Sequence, residues 1–458
     1  MKRGQAAASD RRNRQRRIEI LTCGLHLRSC RKSTHSANAH AIMPQLSKPR
    51  RLIWLLFVVA STGWYLDTAI LDALSYIGPG LSDFRIYHDA SRALLLGKSP
   101  FSIAGYIYPP VLSFLLLPTA LLDYEAARLL WFWINQVCLL TSGVLIWKAA
   151  GGDRTATLVT VSVWAFGGAA LNNLALGQVN PVLLLLLSTA WYFTSRRSRV
   201  GATALGLAAA IKLWPGAMLL YYSPSRDWKG MGVGLLTFFT FAALPWMGLR
   251  YFVPPPHAPA MSNAWMGTPA LFNFSLPAVA LRILDPPTVG QRLPFNWEFG
   301  LALQEMHLRP AHAAASVGLG CLIYIAGVIL LFWSSRGRKD RRMQPLWLAA
   351  LTSLALVCAP VAWSHYQLLQ YPGAAYLLAS FLRQGRSDAA LFVAAAFLGV
   401  NQIPSLGLEI YLGFYGWTMG NPAALWLFSS MASFCGLLFI GVCLRECRRV
   451  SGHSDTEH

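Results

Sequence analysis

AAASVGLGCLIYIAGVILLFW, residues 313–333, carries no acidic, basic or histidine side chain from end to end. A helix needs about 20 mostly apolar residues to cross the hydrocarbon of a bilayer, and this stretch has that length. LIWLLFVVASTGWYLDTAIL, residues 52–71, is a second block of the same kind. Working outward, the apolar blocks predict spans at 52–71, 126–148, 155–172, 179–195, 200–213, 214–222, 229–248, 311–334, 345–363, 366–383, 388–403 and 421–443. The expected fold is therefore an all-α integral membrane protein, polytopic, with about 12 transmembrane helices. The short pair 200–213 and 214–222 reads as one hairpin broken at Trp214-Pro215, because proline removes a backbone donor and kinks a helix. Discontinuous helices of this kind mark sites within the membrane.

Composition excludes the soluble alternative. Of 458 residues, 55% are hydrophobic and 13% charged, where soluble domains carry about a quarter charged. The formal net charge of +20 does not point to nucleic acid, since the basic residues form no single patch. They gather in the N-terminal tail and in turns between apolar blocks, which is the pattern that orients a membrane protein. The eight cysteines include no CxxC spacing and read as small packing residues within or beside spans.

The charges also give the organisation. Residues 1–50, with KRGQAAASDRRNRQRR, form a basic stretch without the apolar core of a secretion signal. It is expected to be a disordered cytoplasmic tail, with Met43 as an alternative start. Residues 51–446 form the transmembrane domain and 447–458 a cytoplasmic C-terminal tail. With the basic tail inside, the turns that fall inside hold Lys148/Arg154, Arg196/Arg197/Arg199, Arg226/Lys229, Arg336/Arg338/Lys339/Arg341/Arg342, Arg383/Arg386 and Arg445/Arg448/Arg449. The short turns outside, at 173–178, 364–365 and 404–420, hold no Lys or Arg. This parity requires YPPVLSFLLLPTALL, residues 108–122, to lie at the outer surface without crossing. Two outer segments are long, 72–124 and 250–310, so the work is expected on the outer face of a bacterial inner (plasma) membrane.

Several polar residues stand out against this background. In SDFRIYHDASRALLLGKSPFSIAGYIYPP, Asp83 and Tyr87 are four apart and share a helix face, as do Arg85 with Asp89 and His88 with Arg92. A carboxylate beside an aromatic wall suits a general base for a hydroxyl; the same pattern suits a solvated amphipathic helix. In LNNLALGQVNP, Gln178 and Asn180 suit sugar hydroxyls, and Asn180-Pro181 equally suits a helix cap. Lys212, in GLAAAIKLWPG, is an ionisable group in apolar sequence, which is costly and usually functional; it suits a phosphate or a side chain snorkelling to the interface. Asn273, Ser275 and Arg282 lie on a stretch suited to run along the membrane. His365 sits at an outer boundary beside Trp363 and Tyr366, suited to phosphate binding or proton transfer or to an interfacial aromatic belt. The topology, fixed by other residues, puts Asp83, Gln178, Lys212 and His365 on one side.

The ordered series SDFRIYHDA, YIYPPVLSFLLLPTALLDYEAARLLWFWIN, LGQVNPVLLLLL, GLAAAIKLWPGAMLLYY, NFSLPAVALR and APVAWSHYQLL resembles glycosyltransferase family 87 over about residues 50–445. These are membrane enzymes of the GT-C fold that use polyprenyl-phosphate sugars, typified by α-mannosyltransferases. The resemblance implies Asp83 as catalytic base, and Gln178, Asn180, Lys212 and His365 lining the donor cleft. The family's Asn-Gln-Ser piece reads Asn273-Phe274-Ser275 here, and the polar residue that often follows its His is Tyr366.

The expected activity is transfer of a hexose, mannose by resemblance, from a polyprenyl-phosphate sugar to a glycolipid or cell-envelope glycan, with inversion. Asp83 takes the acceptor's proton. Lys212, with Arg85 or His365, offsets charge on the leaving phosphate. Tyr87, Gln178, Asn180, Asn273 and Ser275 are the remaining candidates for substrate contact. No cofactor is needed, since a lysine can do the charge work; Asp83 with Asp89 is the alternative, a carboxylate pair suited to a divalent ion. Donor, acceptor and membrane lipids are the expected partners, and nucleic acid is not. A transporter or flippase is the alternative, predicting internal repeats and charges at the bilayer midplane; another lipid-linked transfer, such as polymer ligation, is a third reading.

Overall fold

The structure, a computed structural model, describes residues 83–165, 168–194, 199–223, 226–252, 273–284, 309–335, 343–401 and 422–452, with scattered positions between 56 and 70. The N-terminal tail, most of the 52–71 span and most of the second outer segment lie outside the described residues. So do Arg196, Arg197 and the basic turn 336–342. Chain contacts divide at Ala60 and Ser61, and the account below concerns the unit from Ser61 onward.

Nearly all described residues are helical: α1 (Asp83–Leu95), α2 (Pro110–Leu115), α3 (Leu117–Ala120), α4 (Tyr124–Ala149), α5 (Arg154–Ala165), α6 (Gly168–Leu176), α7 (Asn180–Thr194), α8 (Arg199–Ile211), α9 (Trp228–Phe252), α10 (Leu276–Leu284), α11 (Pro310–Ser334), α12 (Met343–Cys358), α13 (Tyr371–Arg383), α14 (Ser387–Asn401) and α15 (Pro422–Gly452). Three 3₁₀ segments, Pro100–Ser102, Trp214–Tyr222 and Ser364–Gln370, interrupt them. Among the described residues, three helices are long and apolar enough to cross a membrane: Tyr124–Ala149, Pro310–Ser334 and Ser430–Val450. The pair Arg154–Trp164 and Gly168–Leu176 adds a fourth if it is one broken span. The described residues thus give three or four spans of full length, where about twelve were expected over the whole chain; shorter apolar helices, such as Met343–Cys358 and Ser387–Asn401, accompany them.

The differences from the expected spans have local causes. The block 155–172 is described as two helices, Arg154–Trp164 and Gly168–Leu176, whose axes differ by 52°. The block 366–383 begins as a 3₁₀ turn and becomes α-helical only at Tyr371, where Pro372 occupies the first turn. The segment 214–222 is 3₁₀ and not α. It folds back on α8 as a broken hairpin should: a Cβ on Gly216 would lie 3.7 Å from the Cβ of Ala209, whereas seven residues of continuous helix would separate them by about 10 Å. Residues 108–122 form only α2 and α3, of six and four residues, too short to cross. α15 runs on to Gly452, past residue 446.

The long helices carry apolar residues outward as well as inward. On α4, Leu129, Trp133, Val137, Leu140 and Val144 are exposed while Trp131, Asn135, Leu139 and Ile146 are buried. An apolar exterior on a helix of 26 residues is what lipid selects. Between helices, close approach depends on small residues: a Cβ on Gly206 of α8 would sit 2.2 Å from the Gly234 carbonyl oxygen of α9.

The bundle has two chemically distinct ends. At one, arginines pair with carboxylates across turns: Arg383 with Asp153 at 2.8 Å, Arg386 with Glu446 at 2.8 Å, and Arg199 with Asp227 at 2.7 Å. Arg383 also donates to the Ala150 carbonyl. α4 arrives at this end, α7 runs toward it from Asn180, and α8 leaves it at Arg199 to finish just before Lys212. The opposite end holds the polar candidates.

Candidate active site

The site is built on the turn between α6 and α7. Gly177 has φ of +64°, the left-handed conformation that glycine adopts after a helix. The Gln178 N–H donates back to the Asn173 carbonyl at 2.9 Å and the Gly177 N–H to Leu174 at 3.1 Å, closing α6 in a Schellman arrangement. Two side chains of α4 satisfy the turn's outward carbonyls: Trp131 Nε1 donates to Gly177 O at 2.7 Å and Asn135 Nδ2 to Gln178 O at 3.1 Å. A buried turn needs such partners.

α1 lies against this turn. Its apolar face, Phe84, Tyr87, His88 and Ser91, is buried at helical spacing, and Asp83 in its first turn suits the positive end of the helix dipole. Phe84 stacks on Trp131 with ring centroids 5.6 Å apart. Gln178 then joins α1 to the turn. Its Nε2 donates to Asp83 Oδ2, and its Oε1 lies 3.1 Å from the Tyr87 hydroxyl and 3.4 Å from that of Tyr108. The two hydroxyls are 2.9 Å apart. Asp83 is only partly buried as a residue, its carboxyl end being the enclosed part. That burial pushes the carboxyl up to about 6, against the opposing pulls of the Gln178 hydrogen bond and the Lys212 charge. Burial also pushes the Tyr87 and Tyr108 phenols well above their ordinary range, so both stay neutral donors.

A second chain of contacts runs from the cation. Lys212 follows the last turn of α8 and is 8% exposed. Its Nζ donates to Asn180 Oδ1 at 3.2 Å. Asn180 Nδ2 donates to Asn173 Oδ1 at 2.9 Å, and Asn173 Nδ2 donates to the His365 carbonyl at 2.6 Å. Both ends of the Asn180 amide are thus spent on Lys212 and Asn173 and not on capping α7. Asn172 Nδ2 reaches Ser364 Oγ at 2.7 Å, so two consecutive asparagines hold the His365 segment. His365 Nε2 is buried without a hydrogen-bond partner.

Asn273 and Ser275 stand one layer behind. Asn273 forms an antiparallel bridge with Trp363. Its Nδ2 donates to Pro360 O at 3.0 Å and its Oδ1 accepts from Ala362 N at 2.9 Å. Ser275 Oγ accepts from Ala278 N at 3.2 Å and caps α10. Phe274, in the middle position, is buried, and its carbonyl accepts from Ser433 Oγ at 2.8 Å.

The structure thus gathers Asp83, Tyr87, Gln178, Asn180 and Lys212, sets His365 beside them, and places Asn273 and Ser275 in the wall that carries His365. Arg85 is not among them. It is 54% exposed, 3.8 Å from Asp89 and over the Tyr124 ring at 5.3 Å. Asp89 therefore pairs with Arg85 and not with Asp83, and among the described residues no group of three metal-binding side chains assembles. His88 does not meet Arg92 but is buried, 3.4 Å from the Leu122 carbonyl. Sequence reasoning missed Asn173, Tyr108, Trp131 and Asn135. Asn173 alone left a signal, as half of an asparagine pair in an apolar helix.

A carboxylate and a lysine at one end of an apolar helical bundle suit transfer chemistry at a membrane surface, and the comparisons identify the class as a membrane glycosyltransferase. The chain belongs to glycosyltransferase family 87, whose family model matches residues 106–360. It is 24% identical over 405 residues to the polyprenol-phosphate-mannose-dependent alpha-(1-2)-phosphatidylinositol pentamannoside mannosyltransferase of Mycolicibacterium smegmatis, covering 84% of this chain and 87% of that one. It is 25% identical over 377 residues to the polyprenol-phosphate-mannose-dependent alpha-(1-2)-phosphatidylinositol mannoside mannosyltransferase of Mycobacterium tuberculosis, covering 75% and 79%. GPI mannosyltransferase 1 of Kluyveromyces lactis is 30% identical over 173 residues, a match to 35% of this chain that spans only 42% of that relative's length.

Proposed function

We propose that the protein transfers mannose from a polyprenyl-phosphate sugar to a glycolipid or cell-envelope glycan on the outer face of a bacterial plasma membrane, inverting the anomeric carbon. The observation that carries this reading is the shared mounting of Asp83 and Lys212. Both hang from one turn, the carboxylate through Gln178 and the ammonium through Asn180.

The acceptor hydroxyl attacks the anomeric carbon while Asp83 takes its proton. The bond from that carbon to the phosphate oxygen breaks, and polyprenyl phosphate leaves with the electron pair. Lys212 and His365 offset the charge that gathers there, where donors held in place ahead of the reaction act most strongly. A single displacement on a β-linked donor gives an α-glycoside, in keeping with the alpha linkages in the names of the mycobacterial relatives. Tyr87, Gln178 and Asn180 line the same space, and Asn273 and Ser275 hold the wall behind His365. The parity of the basic turns supports cytoplasmic termini and an outward site.

The test is donor choice. Membranes containing the protein should transfer label from polyprenyl-phosphate-mannose and not from a nucleotide sugar. Transfer from the nucleotide sugar alone would overturn the proposal.

A further inference from the structure

Lys212 is held without a carboxylate in ion-pair contact among the described residues. The groups in contact with it are neutral: Asn180 Oδ1 at 3.2 Å, the face of the Tyr366 ring at 3.5 Å, and the Tyr108 ring at 5.4 Å; the Asp83 carboxylate acts on it through charge without an ion pair. A carboxylate in that place would hold the side chain but cancel its charge. An aromatic face attracts the ammonium through its quadrupole and leaves the formal charge for an incoming anion.

We infer that Tyr366 and Tyr108 form an aromatic clamp on Lys212, and that Tyr366 is the positioning residue for recognition of a lipid-linked phosphate. This rests on the reading of Lys212 as the phosphate's partner.

Each jaw is anchored to its own element, and the two tyrosine side chains also meet each other. The Tyr366 N–H donates to Trp363 O at 2.9 Å, its ring packs with Leu356, Ala362 and Trp214, and the His365 ring meets it edge-on at 4.7 Å. Tyr108 is held by the Tyr87 hydroxyl at 2.9 Å and by the Tyr87 ring at 5.0 Å and 81°. The jaws therefore come from the wall that carries His365 and from the loop that carries Asp83. Lys212, on a flexible four-carbon stem, is fixed relative to both. The tyrosine that follows His365, where the related family often carries another polar residue, thus does its work through its ring face.

The probe is polyprenyl phosphate, titrated against the full chain in lipid nanodiscs. The variants are Tyr366→Phe, Tyr366→Leu and phenylalanines at 366 of increasing ring fluorination, which drains the face at nearly constant shape. Tyr366→Phe should bind within about twofold of wild type. Tyr366→Leu should bind about tenfold more weakly, the size expected of a desolvated cation–π contact, and affinity should fall stepwise with fluorination. A flat fluorination series, or Tyr366→Phe as weak as Tyr366→Leu, would overturn the clamp. If Tyr366→Leu does not fold, the fluorinated series decides. Wild-type protein that binds polyprenyl phosphate but transfers no mannose would sink the transferase reading and leave the clamp standing. Transfer by wild type with a flat series would do the reverse, and absence of wild-type binding would remove both.

Discussion

A Cβ on Gly177 would lie 2.7 Å from the Cβ of Phe84. This contact lets α1 sit flat on the α6–α7 turn and delivers Asp83 to Gln178. Gly177→Ala should therefore separate the base from its support. The substitution meets both the clash and a φ of +64°, so α1 must shift, and a misplacement of about 1 Å can cost about 100-fold in rate. Transfer assays beside a detergent-stability measurement check this. A full-rate Gly177→Ala enzyme would show that the Phe84 contact does not position the site.

The pH profile should carry the signature of Asp83. As pH falls through about 6, the carboxylate takes up a proton and can no longer accept one from the acceptor, so transfer should fall on the acid side. The sign for stability is opposite. The folded state binds this proton more tightly than a free aspartate of pKa 3.8 does, so Asp83 costs stability above about 6 and that cost fades as pH falls. Asp83→Asn should accordingly be at least as heat-stable as wild type at neutral pH.

Lys212→Met should lower kcat by about 100-fold or more, the usual size for removing a charge-stabilising group from an active site. It should also move the acid limb upward, because the Lys212 charge draws the Asp83 carboxyl down. Measuring kcat against pH separates this from a general packing defect, which would lower the rate and leave the limb in place.

Topology is testable with phosphatase reporters that are active only outside the cytoplasm. A fusion after residue 104 should be active and one after residue 340 silent. The reverse pattern would overturn the orientation drawn from the basic turns.

What could be read from the sequence follows from what the signals depend on. Asp83, Gln178 and Lys212 were legible because each is a polar group where apolar sequence makes one costly. The broken hairpin at Trp214-Pro215 was legible because proline acts locally. Tyr108 and Tyr366 were not legible as a clamp, since an aromatic in a membrane protein needs no special reason and their meeting over Lys212 depends on tertiary contact. Asn173 was hidden for the same cause: its partners, Asn180 and His365, converge only in the fold. Arg85 stands apart from the gathered residues for a reason the sequence did contain. Two residues from Asp83, it lies about 200° around the helix, away from the face that Asp83 and Tyr87 share. The described residues give three or four full-length spans, since part of the expected dozen lies outside them and one block, 366–383, starts as a 3₁₀ turn that hydrophobicity alone does not reveal.

The central claim is that Asp83 is the base of a lipid-linked mannosyl transfer. Its most direct test compares wild type with Asp83→Asn in membranes supplied with labelled polyprenyl-phosphate-mannose, with inserted protein quantified in each. The account predicts transfer by wild type and loss of transfer in the variant, at equal amounts of inserted protein. Equal transfer by the two would contradict it.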